Sequence, residues 1–135
     1  MMSQINPRNA MQQYAQAGAQ VADIEPYRSV QMLLQGAMDR IAIAKGHMQR
    51  NEIRQKGEFI GKAISIIDGL QAGLDRDPGG AIAGNLDGLY EYMQRRLLKA
   101  NLENNQTILD EIFGLLANIK EAWDAIPDAA KRLPA

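Results

Sequence analysis

The sequence predicts an all-α protein: an antiparallel four-helix bundle preceded by a short N-terminal helical or extended arm. Three observations carry that expectation. Apolar residues recur at three- and four-residue intervals from about Pro26 onward, whereas the period-two alternation of strands is scarce. Proline is confined to Pro7, Pro26, Pro78, Pro127 and Pro134, so none interrupts a long periodic segment. The intervals between segments are short, which favours antiparallel neighbours. The chain divides accordingly into an arm (1–25), a four-helix bundle (26–126) and a flexible C-terminal tail (127–135).

The arm has few apolar anchors, chiefly Met11, Tyr14 and Val21. Helix one is expected to open at Pro26, whose fixed φ suits a first helical turn. Val30, Leu33, Leu34, Ala37, Ile41, Ala44 and Met48 share its inner face. Asn51 is the expected N-cap of helix two, because its amide oxygen can accept a free backbone N–H. Ile53, Ile60, Ile64, Ile67 and Leu74 make one row there, and Phe59, Ala63, Ile66 and Leu70 a second. The run DRDPGG (75–80) is expected to separate helices two and three, and Asn104-Asn105 to separate helices three and four. Helix four shows an alternating four-and-three seam of Ile108, Ile112, Leu115, Ile119, Ala122 and Ile126, with Leu109, Phe113, Leu116 and Trp123 beside it. Trp123 reads as a plug at its end, and Pro127 stops it.

The most informative segment is GGAIAGNLDGLYEYMQRRLLKANL (79–102). Ile82, Leu86, Leu89, Met93, Leu97 and Ala100 form the stripe that core packing needs. Tyr90, Tyr92 and Leu98 extend apolar surface beyond that stripe, beside Arg95 and Arg96. One of these arginines is expected to lie over apolar surface and the other to be solvated or paired with Glu91. A helix with more apolar surface than its own core requires points to a polypeptide partner. Glycines recur inside the periodic segments, including Gly36, Gly57, Gly61, Gly88 and Gly114. Each costs about 1 kcal/mol relative to alanine, so close helix packing is the expected reason for them.

Composition narrows the function classes. A chain of 135 residues is the size of one domain, and the formal net charge is −1 with scattered basic residues. No nucleic-acid footprint or polybasic membrane anchor is expected, and binding to a partner should rest mainly on apolar burial. No segment approaches the roughly 20 apolar residues of a membrane span, so no membrane insertion is expected. There is no cysteine and one histidine, His47, which reads as a helix-end surface residue. Thiol chemistry and the common zinc sites are excluded, and a cytoplasmic location fits. Asp75 and Asp77 read as turn residues, and no phosphate loop or dinucleotide fingerprint is present. The expectation is a non-enzyme without cofactor or metal.

The chain resembles the FliS family of flagellin-specific export chaperones along nearly its whole length. The resemblance rests on KAISIIDGLQAGLD (62–75), the segment 79–102 and LLANIKEAW (115–123) in that order, with Tyr14 before a loose linker and with Met32-Leu33 and Gly36-Ala37 in helix one. It implies a helical bundle that binds the C-terminal segment of flagellin, prevents premature polymerisation and assists delivery to the flagellar type III export gate. It also implies contact residues at Met11 and Tyr14. The apolar rows add Ile64, Ile67, Leu70 and Leu74 on helix two, and Tyr90, Met93 and Leu97 on helix three, as the candidate flagellin-binding surface. The expected state is a monomer or exchangeable homodimer, with the cytoplasmic domain of the export gate as a further partner. The competing expectation is a homodimeric structural or assembly protein without a flagellin client.

Overall fold

A computed structural model describes residues 25–74 and 76–127, with side chains described for 26–74 and 84–127. The arm through residue 24, Asp75 and the tail from residue 128 lie outside the described residues, as do Met11 and Tyr14. Four helices account for nearly all of what is described: α1 (Glu25–Gln49), α2 (Ile53–Ala72), α3 (Arg76–Glu103) and α4 (Gln106–Asp124). Each of α1 and α3 packs against both α2 and α4. The helices therefore form a ring in which consecutive members are neighbours and α1 also meets α4. The α1–α2 seam is the most extensive and the α3–α4 seam the least.

Side-chain pairs fix the antiparallel register. Where α1 begins and α4 ends, the Tyr27 hydroxyl donates to the Trp123 carbonyl at 2.6 Å, and the Trp123 indole donates to the Tyr27 carbonyl at 3.0 Å. Their rings stack at 5.0 Å, so Trp123 does plug this end of the bundle. At the opposite end, Lys45 of α1 pairs with Asp110 of α4 at 2.7 Å. The core between the helices is built from Leu34, Ile41, Ile60, Ile67, Met93, Leu97, Leu109, Ile112 and Leu116, all fully buried. In α4 the buried line combines Ile108 and Ile112 from one expected row with Leu109 and Leu116 from the other. Leu115, Ile119 and Trp123 are half-buried against it, and Phe113 is partly exposed.

The turns show where local sequence reading needs correction. Asn51 does not cap α2; it closes α1. Its φ of 60° lies in the left-handed region, which asparagine tolerates better than most residues. Around it Glu52 N–H reaches His47 C=O at 2.9 Å and Asn51 N–H reaches Met48 C=O at 3.2 Å, the paired bonds of a Schellman ending. Glu52 takes the N-cap position of α2, but its carboxylate makes no cap bond and turns instead to His47 at 2.7 Å and Arg50 at 2.9 Å. Asn104 is likewise left-handed, with φ 52°, and Asn105 N–H bonds to Ala100 C=O at 3.0 Å. Asn105 then caps α4, accepting from Ile108 N–H at 3.2 Å. The DRDPGG run does not separate two helices. The α2 helix stops at Gly73 and α3 begins at Arg76, so Pro78 falls in the first turn, where no intrahelical donor is lost. At its far end α4 stops at Asp124, short of Ile126.

Candidate functional site

The surface implied by the sequence lies along α2 and α3, and the structure divides its residues by depth. Ile67, Leu70, Met93 and Leu97 are buried in the core. Tyr90 joins them at 3% exposure, which corrects its reading as an amphipathic surface residue. Its position three residues before Met93 and seven before Leu97 puts it on the core line of α3, and spacing prevails over residue type. Burial pushes its hydroxyl pKa above the ordinary tyrosine value. Ile64 and Leu74 are half-buried against the core and remain reachable.

The large apolar side chains that do reach the surface here are others. Ile53 on α2 is 54% exposed, and Leu98 and Leu102 on α3 are 54% and 84% exposed. Leu98 is already conspicuous in the sequence as an apolar residue off the inner stripe. Leu102 follows it by four residues, one turn further along the same face. Ile53 lies in the first turn of α2, whose backbone stands beside the last turn of α3. There Lys56, itself only 3% exposed, donates to the Asn101 carbonyl at 2.9 Å and to the Asn104 side chain at 2.5 Å. The cation satisfies one of the open carbonyls at the α3 C-terminus and holds the Asn104 turn in place. A Cβ on Gly57 would stand in ordinary contact with the Asn101 side chain at 3.6 Å, so the helix approach does not depend on glycine there. At Gly61 a Cβ would meet nothing within 4 Å, so that position leaves the outer face of α2 low. Near the other end of the α2–α3 seam, Gln71 donates to Asp87 at 2.9 Å and accepts from Gln94 at 2.8 Å.

The α3–α4 side is closed by polar contacts. Arg96 pairs with Glu111 at 3.2 Å, and its guanidinium sits 5.9 Å from the Tyr92 ring centroid. One of the two adjacent arginines, Arg96, thus lies over apolar surface as expected, with Glu111 of α4 as its carboxylate partner, and the other, Arg95, is exposed. Tyr92 donates to the other Glu111 oxygen at 2.5 Å, and that hydrogen bond, with some burial, raises its pKa above the ordinary value. Among the described residues no cluster of histidine, cysteine, aspartate or glutamate could hold a metal ion. His47 does sit at a helix end, stacked 5.5 Å from Phe59. What the arrangement offers is a packed α2–α3 seam flanked by the exposed side chains of Ile53, Leu98 and Leu102, apolar surface suited to burying one face of a partner helix.

Comparison with known proteins gives the family. The family described as flagellar protein FliS matches residues 7–130. The chain is 51% identical over 119 residues to flagellar secretion chaperone FliSB of Pseudomonas aeruginosa, covering 87% of this chain and 94% of that protein. It is 45% identical over 120 residues to flagellar secretion chaperone FliS of Salmonella typhimurium, covering 87% and 89% respectively. It is also 38% identical over 130 residues to flagellar secretion chaperone FliS of Vibrio cholerae, covering 95% and 96%.

Proposed function

The chain belongs to the FliS family, a family of flagellar export chaperones and not of enzymes, and on that premise we propose that it binds the C-terminal segment of flagellin in the cytoplasm. By covering that segment it prevents premature polymerisation, and it carries flagellin to the flagellar type III export gate. The observation that most supports this reading is the exposed apolar rim of Ile53, Leu98 and Leu102 above a packed α2–α3 floor. Burying them against an amphipathic helix yields roughly 25 cal/mol per Å² of apolar area, less the cost of ordering the client segment. Ile64 and Leu74 extend the contact along α2. Ile67, Leu70, Tyr90, Met93 and Leu97 hold the floor in shape. Met11 and Tyr14 are further contacts within the arm, where a flat amphipathic ring and an adaptable thioether suit reversible docking. Among the described residues no helix is long and apolar enough to cross a membrane.

Light scattering from polymerising flagellin tests the proposal. One equivalent of this chain should suppress filament growth, and replacing Leu98 and Leu102 with serine should restore it while leaving the melting temperature nearly unchanged. Unimpeded growth at several equivalents of the wild-type chain would contradict it.

A further inference from the structure

Among the described residues Lys56 is the only charged side chain buried in the bundle, and no carboxylate there pairs with it. Its ammonium crosses from the first turn of α2 to the end of α3, where the Asn101 carbonyl accepts at 2.9 Å and the Asn104 side-chain oxygen at 2.5 Å. At a helix end the open carbonyls and the macrodipole stand in for a carboxylate. The other polar ties across the α2–α3 seam, from Gln71 to Asp87 and from Gln94 to Gln71, lie about four turns away at its opposite end. Ile53 stands one turn before Lys56, Leu98 one turn before Asn101, and Leu102 directly after Asn101. Each exposed apolar side chain of the seam is therefore close to one foot of this bridge.

The structure assigns Lys56 the part of a positioning residue: by pinning the last turn of α3 to the first turn of α2, it fixes where Leu98 and Leu102 stand relative to Ile53 before any client arrives. This rests on the reading of flagellin as client and concerns how the free chain holds that surface in place. Apolar packing alone guides a helix end weakly, because the last turn has no further turn to hold it and its carbonyls are open. Asn104 adds a cost, since its φ of 52° is left-handed backbone on a residue with a Cβ. One cation bonded to two points of this turn is directional and charge-assisted, and it fixes what apolar contact leaves loose. Methionine at position 56 would fill the same space, because its unbranched stem matches the buried part of lysine, but it donates nothing. The end of α3 would then fray in the free chain, and the client would have to order it on binding. That lost preorganisation shortens the life of the complex.

The test pairs amide hydrogen exchange of the free chain with dissociation rates from purified full-length flagellin. Lys56→Met should speed exchange over residues 101–105 and flagellin dissociation about tenfold each. Glycine adopts left-handed backbone without help, so adding Asn104→Gly to Lys56→Met should bring both readings back to within about threefold of wild type. A lysine that served only the stability of the core would show no such rescue. Ile41→Val loosens the core on α1 instead; it should lower the melting temperature and leave both readings within about twofold of wild type. Asn104 is exposed, so Asn104→Ala reaches the same bridge without opening the core and should speed dissociation by a similar factor. Wild-type dissociation from both Lys56→Met and Asn104→Ala, or fast dissociation that Asn104→Gly fails to reverse, would overturn the inference. If flagellin does not bind the wild-type chain at all, the client reading itself fails, which is a different outcome from binding that ignores Lys56.

Discussion

Tyr90 shows what single residues contribute. Its ring fills the core beside Met93 and Leu97, and among the described residues no hydrogen bond to its hydroxyl is found. Tyr90→Ala should therefore cost about 3–5 kcal/mol of stability, read from denaturant unfolding. Tyr90→Phe should change it by less than about 1 kcal/mol, because the hydroxyl forgoes little on removal. A mild Tyr90→Ala phenotype with weakened flagellin binding would return Tyr90 to the contact surface. Its neighbour Tyr92 gives a pH signature. The hydrogen bond to Glu111, with some burial, favours the protonated phenol in the fold. The stability it contributes is complete below the ordinary tyrosine pKa of about 10 and is lost as pH rises from there through the raised folded value. An ultraviolet titration should show the Tyr92 absorbance step displaced upward, and Glu111→Gln should move it back toward the ordinary range. At this scale the sequence was readable for periodicity and misleading for residue type. Tyrosine as a class suits surfaces, yet only the 90, 93, 97 spacing decides this one. The partner of Arg96 was not readable at all, because Glu111 reaches it from another helix.

Helix ends and helix interiors carry the next set of expectations. Asn105 is the clear side-chain cap of α4, accepting the Ile108 N–H. Asn105→Ala should lower stability by about 1 kcal/mol, measured by thermal or urea unfolding. Gly114 lies within α4, and a Cβ there would touch nothing within 4 Å. Gly114→Ala should raise stability by about 0.5–1 kcal/mol, since helix propensity rises without a clash. A loss on Gly114→Ala would mean that the helix needs that glycine for packing after all. A Cβ on Gly57 or Gly36 would meet its nearest side-chain atoms at 3.6 Å, an ordinary van der Waals distance, so the close packing expected for the helix glycines is not what these two positions require. The four helices themselves were legible from apolar spacing and proline placement. Their ends were less so. An asparagine at a turn can close one helix by left-handed backbone or open the next through its side chain, and Asn51 and Asn105 do one each. The Pro78 run misled for a similar reason, because proline marks a helix start as readily as a break.

At the scale of the whole molecule, the bundle is a ring whose core lies between four antiparallel helices and whose α2–α3 side carries the exposed side chains of Ile53, Leu98 and Leu102. The ring was legible because each helix carries an inner apolar stripe and the short turns favour antiparallel neighbours. The candidate site was legible only in outline. The sequence placed it on helices two and three, but a buried leucine and an exposed one share the same letter, so floor and rim separated only once the helices were packed. Leu97 fell to the floor, while Leu98 and Leu102 rose to the rim. The central claim is that this surface holds flagellin by its C-terminal segment. The direct measurement is calorimetric titration of this chain with intact flagellin and with flagellin lacking that segment. The intact protein should bind one to one with a clearly negative heat-capacity change, as apolar burial requires, and the truncated protein should release no binding heat. Equal affinity for the two would contradict the account.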